Sequence, residues 1–238
     1  MADPLLRRRV PLVCGDFAGF RYVELGPDLE TRLPAWLAAG RVEDGEELAG
    51  SHVFRSGPHV VKFFPGPRRR RDLFRPPRAV RSADLALRLD GIRTPAPYVA
   101  LGPRRRADRR AGMLVMEHIP GQPLTALWRR DEAAMDALPR FLAAIARRGV
   151  LLGDFHLENA LWNGAEWVLL DLDGIRHRGH FVHRCKLIER QWARVWNALG
   201  RHPHVFALFV AFLAEAGLDW DAKAAWTRIM RRADRWGR

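Results

Sequence analysis

The chain has 238 residues, 48% of them hydrophobic and 28% charged, a balance typical of a folded globular protein with one two-lobed domain or two small ones. A continuous apolar stretch of about 18 residues is absent from the sequence, which excludes a membrane-spanning helix, and the apolar segment near the N-terminus is too short for a signal peptide. The two cysteines, Cys14 and Cys185, form no spaced framework, so we expect a reducing, cytoplasmic compartment.

The formal net charge is +13, and the arginines are densest at 68–71 and 104–110. Such charge favours an anionic partner: a nucleic acid, a membrane surface or a phosphorylated acceptor. Aromatic residues are not interleaved with the two arginine clusters, which argues against a surface that stacks the bases of single-stranded nucleic acid. Peripheral contact of the clusters with an anionic membrane is therefore predicted, and an arginine-rich composition displayed on solvated loops stays open as the alternative.

Hydrophobic periodicity and turn residues predict the elements of the first half. In chain order they are a strand over 20–25, a helix over 28–39 ended by Gly40, hairpin strands over 51–55 and 59–64 around Gly57-Pro58, a helix over 78–90, and strands over 98–101 and 112–117. The segment 45–50 lies where a nucleotide-covering loop is expected, but it is a weak phosphate cradle and equally well a plain turn.

The second half reads as mainly helical, with strands around a polar loop. Helices are predicted over 124–128, 135–148, 187–199 and 205–213, and short strands over 149–152 and 167–170. The two halves meet near residues 117–121.

Three polar residues between and after the two short strands have the spacing of a phosphoryl-transfer site. Asp154 is followed five positions later by Asn159, and Asp171 ends the second apolar run. In protein kinases this spacing places a catalytic Asp beside the acceptor hydroxyl, while the Asn and the second Asp hold Mg²⁺. An ordinary surface hairpin around Asn163-Gly164 would explain one of these carboxylates, but not the three together.

Lys62 is the next residue on which this interpretation depends. Only three of the 40 Lys and Arg residues are lysines, and Lys62 lies in the predicted strand 59–64. A lysine on the third strand of a kinase small lobe contacts the α- and β-phosphates of ATP. The alternative is a solvent-facing strand lysine, and the position upstream of Asp154 favours nucleotide binding.

With these residues in view, the chain resembles the lipopolysaccharide kinase family, which phosphorylates Kdo or heptose of the inner core. The resemblance covers about residues 40–200. It depends on Val60-Val61-Lys62, on Gly91-Ile92-Arg93-Thr94-Pro95-Ala96-Pro97, on Leu114-Val115-Met116-Glu117, on Asp154-Phe155-His156-Leu157-Glu158-Asn159, and on Leu170-Asp171-Leu172-Asp173. The Gly-Ile-x-Thr-Pro-x-Pro phrase is the most discriminating of these.

The resemblance implies transfer of phosphate from ATP, with Mg²⁺, to a sugar hydroxyl of a glycolipid at the cytoplasmic face of the inner membrane. Lys62 would bind the α- and β-phosphates, Asp154 would orient and deprotonate the acceptor hydroxyl, and Mg²⁺ would be held by Asn159 and Asp171. His156 and Asp173 would support them.

The expected adenine contacts come from the backbone of the linker, at Glu117 and Ile119. The predicted helix 78–90 contains no Glu to pair with Lys62, and Asp84 is the best substitute. Leu152 stands where kinase-like loops often carry His.

The predicted fold class is therefore α+β and protein-kinase-like with two lobes: a small antiparallel sheet with one helix, and a mainly helical second lobe. Residues 1–116 would form the nucleotide-binding lobe, 117–121 the hinge and 122–238 the catalytic lobe. Three other functions stay open: a small-molecule kinase of the aminoglycoside or choline type, an inactive kinase-like binding module, and, on charge alone, a nucleic-acid-binding protein.

Overall fold

The structure, a computed structural model, describes residues 9–48, 52–65, 75–89, 91–104, 112–148, 150–152, 157–172, 175–177 and 181–235. The chain divides into two compact units. The first consists of residues 1–90 and 94–119, and the second of residues 91–93 and 120–238. The chain thus passes from the first unit to the second between Ile119 and Pro120.

The first unit is built on a seven-stranded antiparallel sheet. Its strands are β1 (Val10–Cys14), β2 (Phe17–Arg21), β3 (Glu46–Glu47), β4 (Val53–Ser56), β5 (His59–Phe64), β6 (Pro97–Pro103) and β7 (Gly112–Glu117). They lie in the order β1-β2-β6-β7-β5-β4-β3, so β7 is the central strand. The turn between β4 and β5 contains Gly57 at φ 57°, a left-handed conformation that glycine adopts without steric cost.

One helix covers each face of this sheet. Helix α1 (Pro27–Ala39) buries Leu33 and Trp36 in a core shared with Val61 and Phe63 of β5. Helix α2 (Arg78–Arg88) packs on the opposite face, where Ala79 and its neighbours contact side chains of alternate strand positions. Burial on both faces fixes which side chains of β5 point towards α2.

The second unit is mainly helical. Its helices are α3 (Leu124–Leu127), α4 (Glu132–Arg147), α5 (Phe181–Ala198), α6 (His204–Ala216) and α7 (Ala222–Asp234). Trp192 of α5 is 1% exposed, and its ring lies 5.3 Å from both Phe209 and Phe212 of α6. The Trp226 ring of α7 lies 5.4 Å from the Phe209 ring. These aromatic contacts join the last three helices into one core.

Short strands complete the second unit. They are β8 (Gln122–Pro123), β9 (Val150–Leu152), β10 (Ala160–Trp162), β11 (Trp167–Leu169) and β12 (Ile175–His177). They form two small antiparallel sheets, β11-β10-β8 and β12-β9. Within the described ranges, every helix is too short or too polar to cross a bilayer.

The described elements confirm most of the sequence predictions, including α1 with its end at Gly40, the hairpin β4–β5 and β7. The predicted strand 20–25 is wrong in its bounds: the hairpin β1–β2 turns at Gly15, whose φ is 56°, and β2 ends at Arg21. Helix α2 ends at Arg88, two residues before the predicted end. Both predicted helices of the first half, 28–39 and 78–90, belong to the first unit as α1 and α2, so the small lobe has two helices and the fold-class expectation of one helix is incomplete.

Candidate functional site

The hairpin β10–β11 positions two of the predicted site residues in the second unit. Ala160 pairs with Leu169 across the hairpin, and the Leu170 backbone N–H donates to the Asn159 carbonyl at 2.8 Å. Asn159 therefore lies directly before one strand and Asp171 two residues after the other. The antiparallel register brings together two residues that the sequence separates.

Tertiary contacts fix this hairpin on α4. The Trp167 indole N–H donates to the Ala134 carbonyl at 2.8 Å in a buried position, and the Trp162 and Trp167 rings lie 5.5 Å apart. At the hairpin tip, the Asn163 side-chain oxygen accepts hydrogen bonds from two backbone N–H groups of the turn, both at 2.9 Å. Such an Asx turn holds the strand register from the far end.

Asp171 is exposed and has a φ of 46°. This left-handed conformation costs most L-residues about 1–2 kcal/mol, although Asp tolerates it better than most, and such conformations cluster at functional sites. Asp171 makes contacts of its own, and Asn159 is half-buried. The hairpin thus presents a carboxylate and an amide side chain from adjacent backbone positions.

These two residues have the donor chemistry that Mg²⁺ requires. The ion prefers oxygen ligands and is commonly held by one or two side chains together with waters and substrate phosphates. Within the described part of the chain, His, Cys, Asp and Glu side chains do not gather in groups of three or more that could hold a metal. The pair Asn159 and Asp171 fits a magnesium ion that takes its remaining ligands from a nucleotide.

The predicted catalytic residue Asp154 lies outside the described residues, as do His156 and Asp173. The structure does describe the strand that leads to Asp154. Strand β9 ends at Leu152 and pairs with β12. The sequence patterns predict a strand at β9 but none at β12. Short strands of two or three residues, such as β8, β10 and β12, have too few positions to show a hydrophobic period.

In the first unit, Lys62 lies on β5 in the interior of the sheet. It pairs with Val53 of β4 on one side and Leu114 of β7 on the other. Strand alternation places its side chain on the same face as Phe64, which packs with α2. The Lys62 Nζ lies 5.2 Å from the centre of the Phe64 ring.

Asp84 lies on α2, the helix on the Lys62 face, and it contacts the residues that precede β1 and follow β2. The Tyr22 hydroxyl donates to Asp84 Oδ1 at 3.3 Å, and Arg9 Nη1 lies 3.4 Å from Asp84 Oδ2. Tyr22 is 1% exposed; its burial and the Asp84 charge raise the pKa of Tyr22 above the ordinary value. Sequence reasoning missed Tyr22 and Arg9, which are far from Asp84 along the chain.

Glu117 ends β7 and fastens the segment before β6. Its backbone N–H donates to the Ala96 carbonyl at 2.9 Å, and its carboxylate accepts from the Ala96 N–H at 3.1 Å. The next residue, His118, donates its backbone N–H to the Pro58 carbonyl at 2.9 Å, and Ile119 is half-buried. The predicted hinge therefore begins at a well-anchored strand end.

The first glycine of the candidate nucleotide-covering segment 45–50 is explained by packing. A Cβ atom on Gly45 would lie 2.7 Å from Val42 Cγ1, so glycine is needed there for close packing. Gly50, at the other end of the segment, lies outside the described residues.

No protein-family model matches the sequence, and no curated protein matches it. Solved structures match this chain by their fold. WaaP in complex with acyl carrier protein matches over 90% of this chain and 98% of that chain, at 15% identity and a TM-score of 0.58. The streptomycin–ATP–APH(2″)-IIa ternary complex matches over 90% of this chain and 89% of that chain, at 9% identity and a TM-score of 0.53.

The bifunctional kinase-methyltransferase WbdD matches over 76% of this chain, at 17% identity and a TM-score of 0.47. This chain spans 47% of the length of that WbdD chain.

WaaP and APH(2″)-IIa are protein-kinase-like, and the chain shares that fold. The predicted α+β fold class is confirmed. At identities this low, the likeness establishes the fold alone, because one fold hosts many substrates.

Proposed function

We propose that the chain is an ATP-dependent kinase that transfers phosphate to a sugar hydroxyl of a glycolipid such as the lipopolysaccharide inner core. The observation that carries the proposal is the end of the β10–β11 hairpin, where the Leu170–Asn159 hydrogen bond holds Asn159 beside a left-handed Asp171. Residues 1–116 then serve as the nucleotide-binding lobe, 117–121 as the hinge and 122–238 as the catalytic lobe.

The nucleotide contacts are assigned to the first unit. Lys62 binds the α- and β-phosphates, and the backbone of Glu117 and Ile119 hydrogen-bonds the adenine ring. The pairing of Asp84 with Lys62 stays a prediction. Asp84 is in contact with Tyr22 and Arg9, so a direct pairing would require α2 to exchange these contacts.

The metal and the acceptor are assigned to the second unit. Asn159 and Asp171 hold Mg²⁺, which neutralises charge on the phosphates when bound. Asp154 accepts the proton of the acceptor hydroxyl as that oxygen attacks the γ-phosphorus, and the bond to the β–γ bridging oxygen breaks so that ADP leaves.

The glycolipid acceptor is supported by the sequence phrase 91–97 and by the fold shared with WaaP over almost all of its length. The phrase is built into both units. The Arg93 carbonyl accepts from the Leu169 N–H at 2.9 Å, which ties 91–93 to β11, and Ala96 is fastened to Glu117. The residues that carry the resemblance thus border the proposed metal hairpin and the proposed hinge.

A lipid acceptor also gives the net charge of +13 a role. We propose peripheral contact of the arginine clusters 68–71 and 104–110 with the anionic cytoplasmic face of the inner membrane. Co-sedimentation with vesicles containing anionic lipid tests this contact. Binding that survives in neutral vesicles or is insensitive to salt would contradict it.

A small-molecule kinase is the second candidate, because the fold is also that of APH(2″)-IIa in its complex with streptomycin and ATP. Transfer of phosphate to a soluble amino sugar, without any need for lipid, would favour that candidate over the glycolipid kinase.

The first test is the thermal midpoint of wild type and of Asp171→Ala, with and without Mg²⁺ and ATP. A ligand at about a hundred times its Kd stabilises by about 2.7 kcal/mol, a shift of about 5–10 °C in a chain of this size. We expect this shift in wild type and its loss in Asp171→Ala. Asp136→Ala, at an exposed position of α4, is the control and should keep it. An equal shift in Asp171→Ala would overturn the metal assignment.

A further inference from the structure

Two cations from different elements lie against one buried aromatic ring in the first unit. Phe64 of β5 is 3% exposed. The Lys62 Nζ lies 5.2 Å from the centre of its ring, and the Arg78 guanidinium carbon lies 5.7 Å from the same centre. Both distances are within the range of cation–π attraction. The ring therefore holds the two positive charges at one end of the sheet face.

Arg78 is the first residue of α2. The first turn of α2 contains no acidic residue, and Pro77 supplies no side-chain cap. Positive side chains at a helix N-terminus are unfavourable with the helix dipole. An anion bound at this end of α2 would reverse that cost.

Arg81, one turn further along, adds a hydrogen-bond donor. Its Nε is buried and has no hydrogen-bond partner within the described part of the chain, an arrangement that costs free energy unless an acceptor is supplied. Arg78 and Arg81 are three residues apart and so lie on neighbouring positions of the helix surface. The same stretch thus presents an unsatisfied donor beside the cation that contacts Phe64.

The acidic residue of α2, Asp84, contacts Tyr22 and Arg9. It is the sole acid in the sequence of this helix, and its two partners lie just after β2 and just before β1. Arg78, which shares the Phe64 ring with Lys62, is a cation, whereas a kinase lobe is expected to offer this lysine an acid from the same helix.

We infer that Arg78 is a second phosphate-binding cation, which clamps the polyphosphate of a nucleotide together with Lys62. The inference rests on the proposed function for the identity of the nucleotide. Phe64 fixes both cations before the ligand arrives, so less conformational freedom is lost on binding. Arginine adds paired N–H donors that suit phosphate oxygens, whereas Lys62 acts as a compact charge.

The test compares the Kd of wild type, Arg78→Ala and Arg78→Gln for Mg²⁺–ATP, adenosine and inorganic triphosphate by titration calorimetry. We expect both variants to bind ATP and triphosphate about tenfold or more weakly, the size of a lost charge-assisted hydrogen bond, and to bind adenosine as wild type does. Arg88→Ala is the control, an exposed arginine at the opposite end of α2, and should leave all three Kd values unchanged.

The outcomes separate this inference from the proposed function. Unchanged ATP and triphosphate affinity in Arg78→Gln overturns the clamp, as does an equal loss for adenosine, which indicates damage to the lobe. If wild type binds triphosphate through Arg78 but does not bind ATP, the inferred clamp stands and the assignment of the ligand as a nucleotide is overturned. The thermal midpoint of each unliganded variant identifies a folding defect, and Arg78→Lys, which restores charge, should then recover part of the affinity.

Discussion

Asp171 shows how much a single residue's backbone adds to a sequence motif. Among the described residues, three non-glycine residues have positive φ: Arg129, Asp171 and Arg201. The spacing from Asp154 and Asn159 predicts that Asp171 belongs to a site, but no pattern predicts its left-handed conformation. The conformation follows directly after the β10–β11 hairpin, and left-handed non-glycine residues cluster at functional sites.

A pair of substitutions isolates this backbone cost. Asp171→Ala and Asp171→Gly both remove the carboxylate and its contacts, and they differ in the ease with which the backbone becomes left-handed. We expect the glycine variant to have the larger free energy of unfolding, by about 0.5–1 kcal/mol, because relief of strain exceeds the entropy cost of glycine. Urea unfolding measures this difference, and an alanine variant as stable as the glycine variant would show that position 171 is not strained.

Helix α2 shows what an element's periodicity does and does not predict. Its apolar pattern located the helix to within two residues of its end, because burial against a sheet leaves a helical period in the sequence. The pattern did not predict the partners of Asp84. Tyr22 and Asp84 are brought together by the order of the strands beneath α2, a long-range property that no local sequence signal contains.

The burial of Tyr22 and its contact with Asp84 make the free energy of unfolding depend on pH in the alkaline range. Burial, and next the Asp84 charge, raise the pKa of Tyr22 above its ordinary value. The folded state then holds the proton more tightly than the unfolded chain, so this contribution is complete below about pH 10 and is lost as the pH rises above it. Urea unfolding at pH 9 and pH 11 should show a larger loss for wild type than for Tyr22→Phe, by up to about 1 kcal/mol. Equal losses would mean that Tyr22 does not titrate differently in the folded state.

At the scale of the whole molecule, the fold class was predictable and the acceptor was not. Turn residues, alternating strands and the spacing of Lys62, Asp154, Asn159 and Asp171 follow the order of a kinase-like chain, and the matches to WaaP and APH(2″)-IIa confirm the fold. The strand predicted over 20–25 is misplaced, because the hairpin β1–β2 turns at Gly15 and β2 ends at Arg21. The acceptor depends on a few side chains, and the fold is compatible with both glycolipid and soluble acceptors.

The most direct test of the account is transfer of the labelled γ-phosphate of ATP to a lipid-linked Kdo or heptose acceptor. We predict Mg²⁺-dependent transfer by wild type, and a rate at least about a hundredfold lower for Asp154→Asn, the size expected when a catalytic base is removed. Asp136→Asn, at an exposed position of α4, should retain the wild-type rate. Nucleotide binding without transfer to any acceptor would contradict the account in favour of an inactive binding module, and full activity of Asp154→Asn would contradict the assigned chemistry.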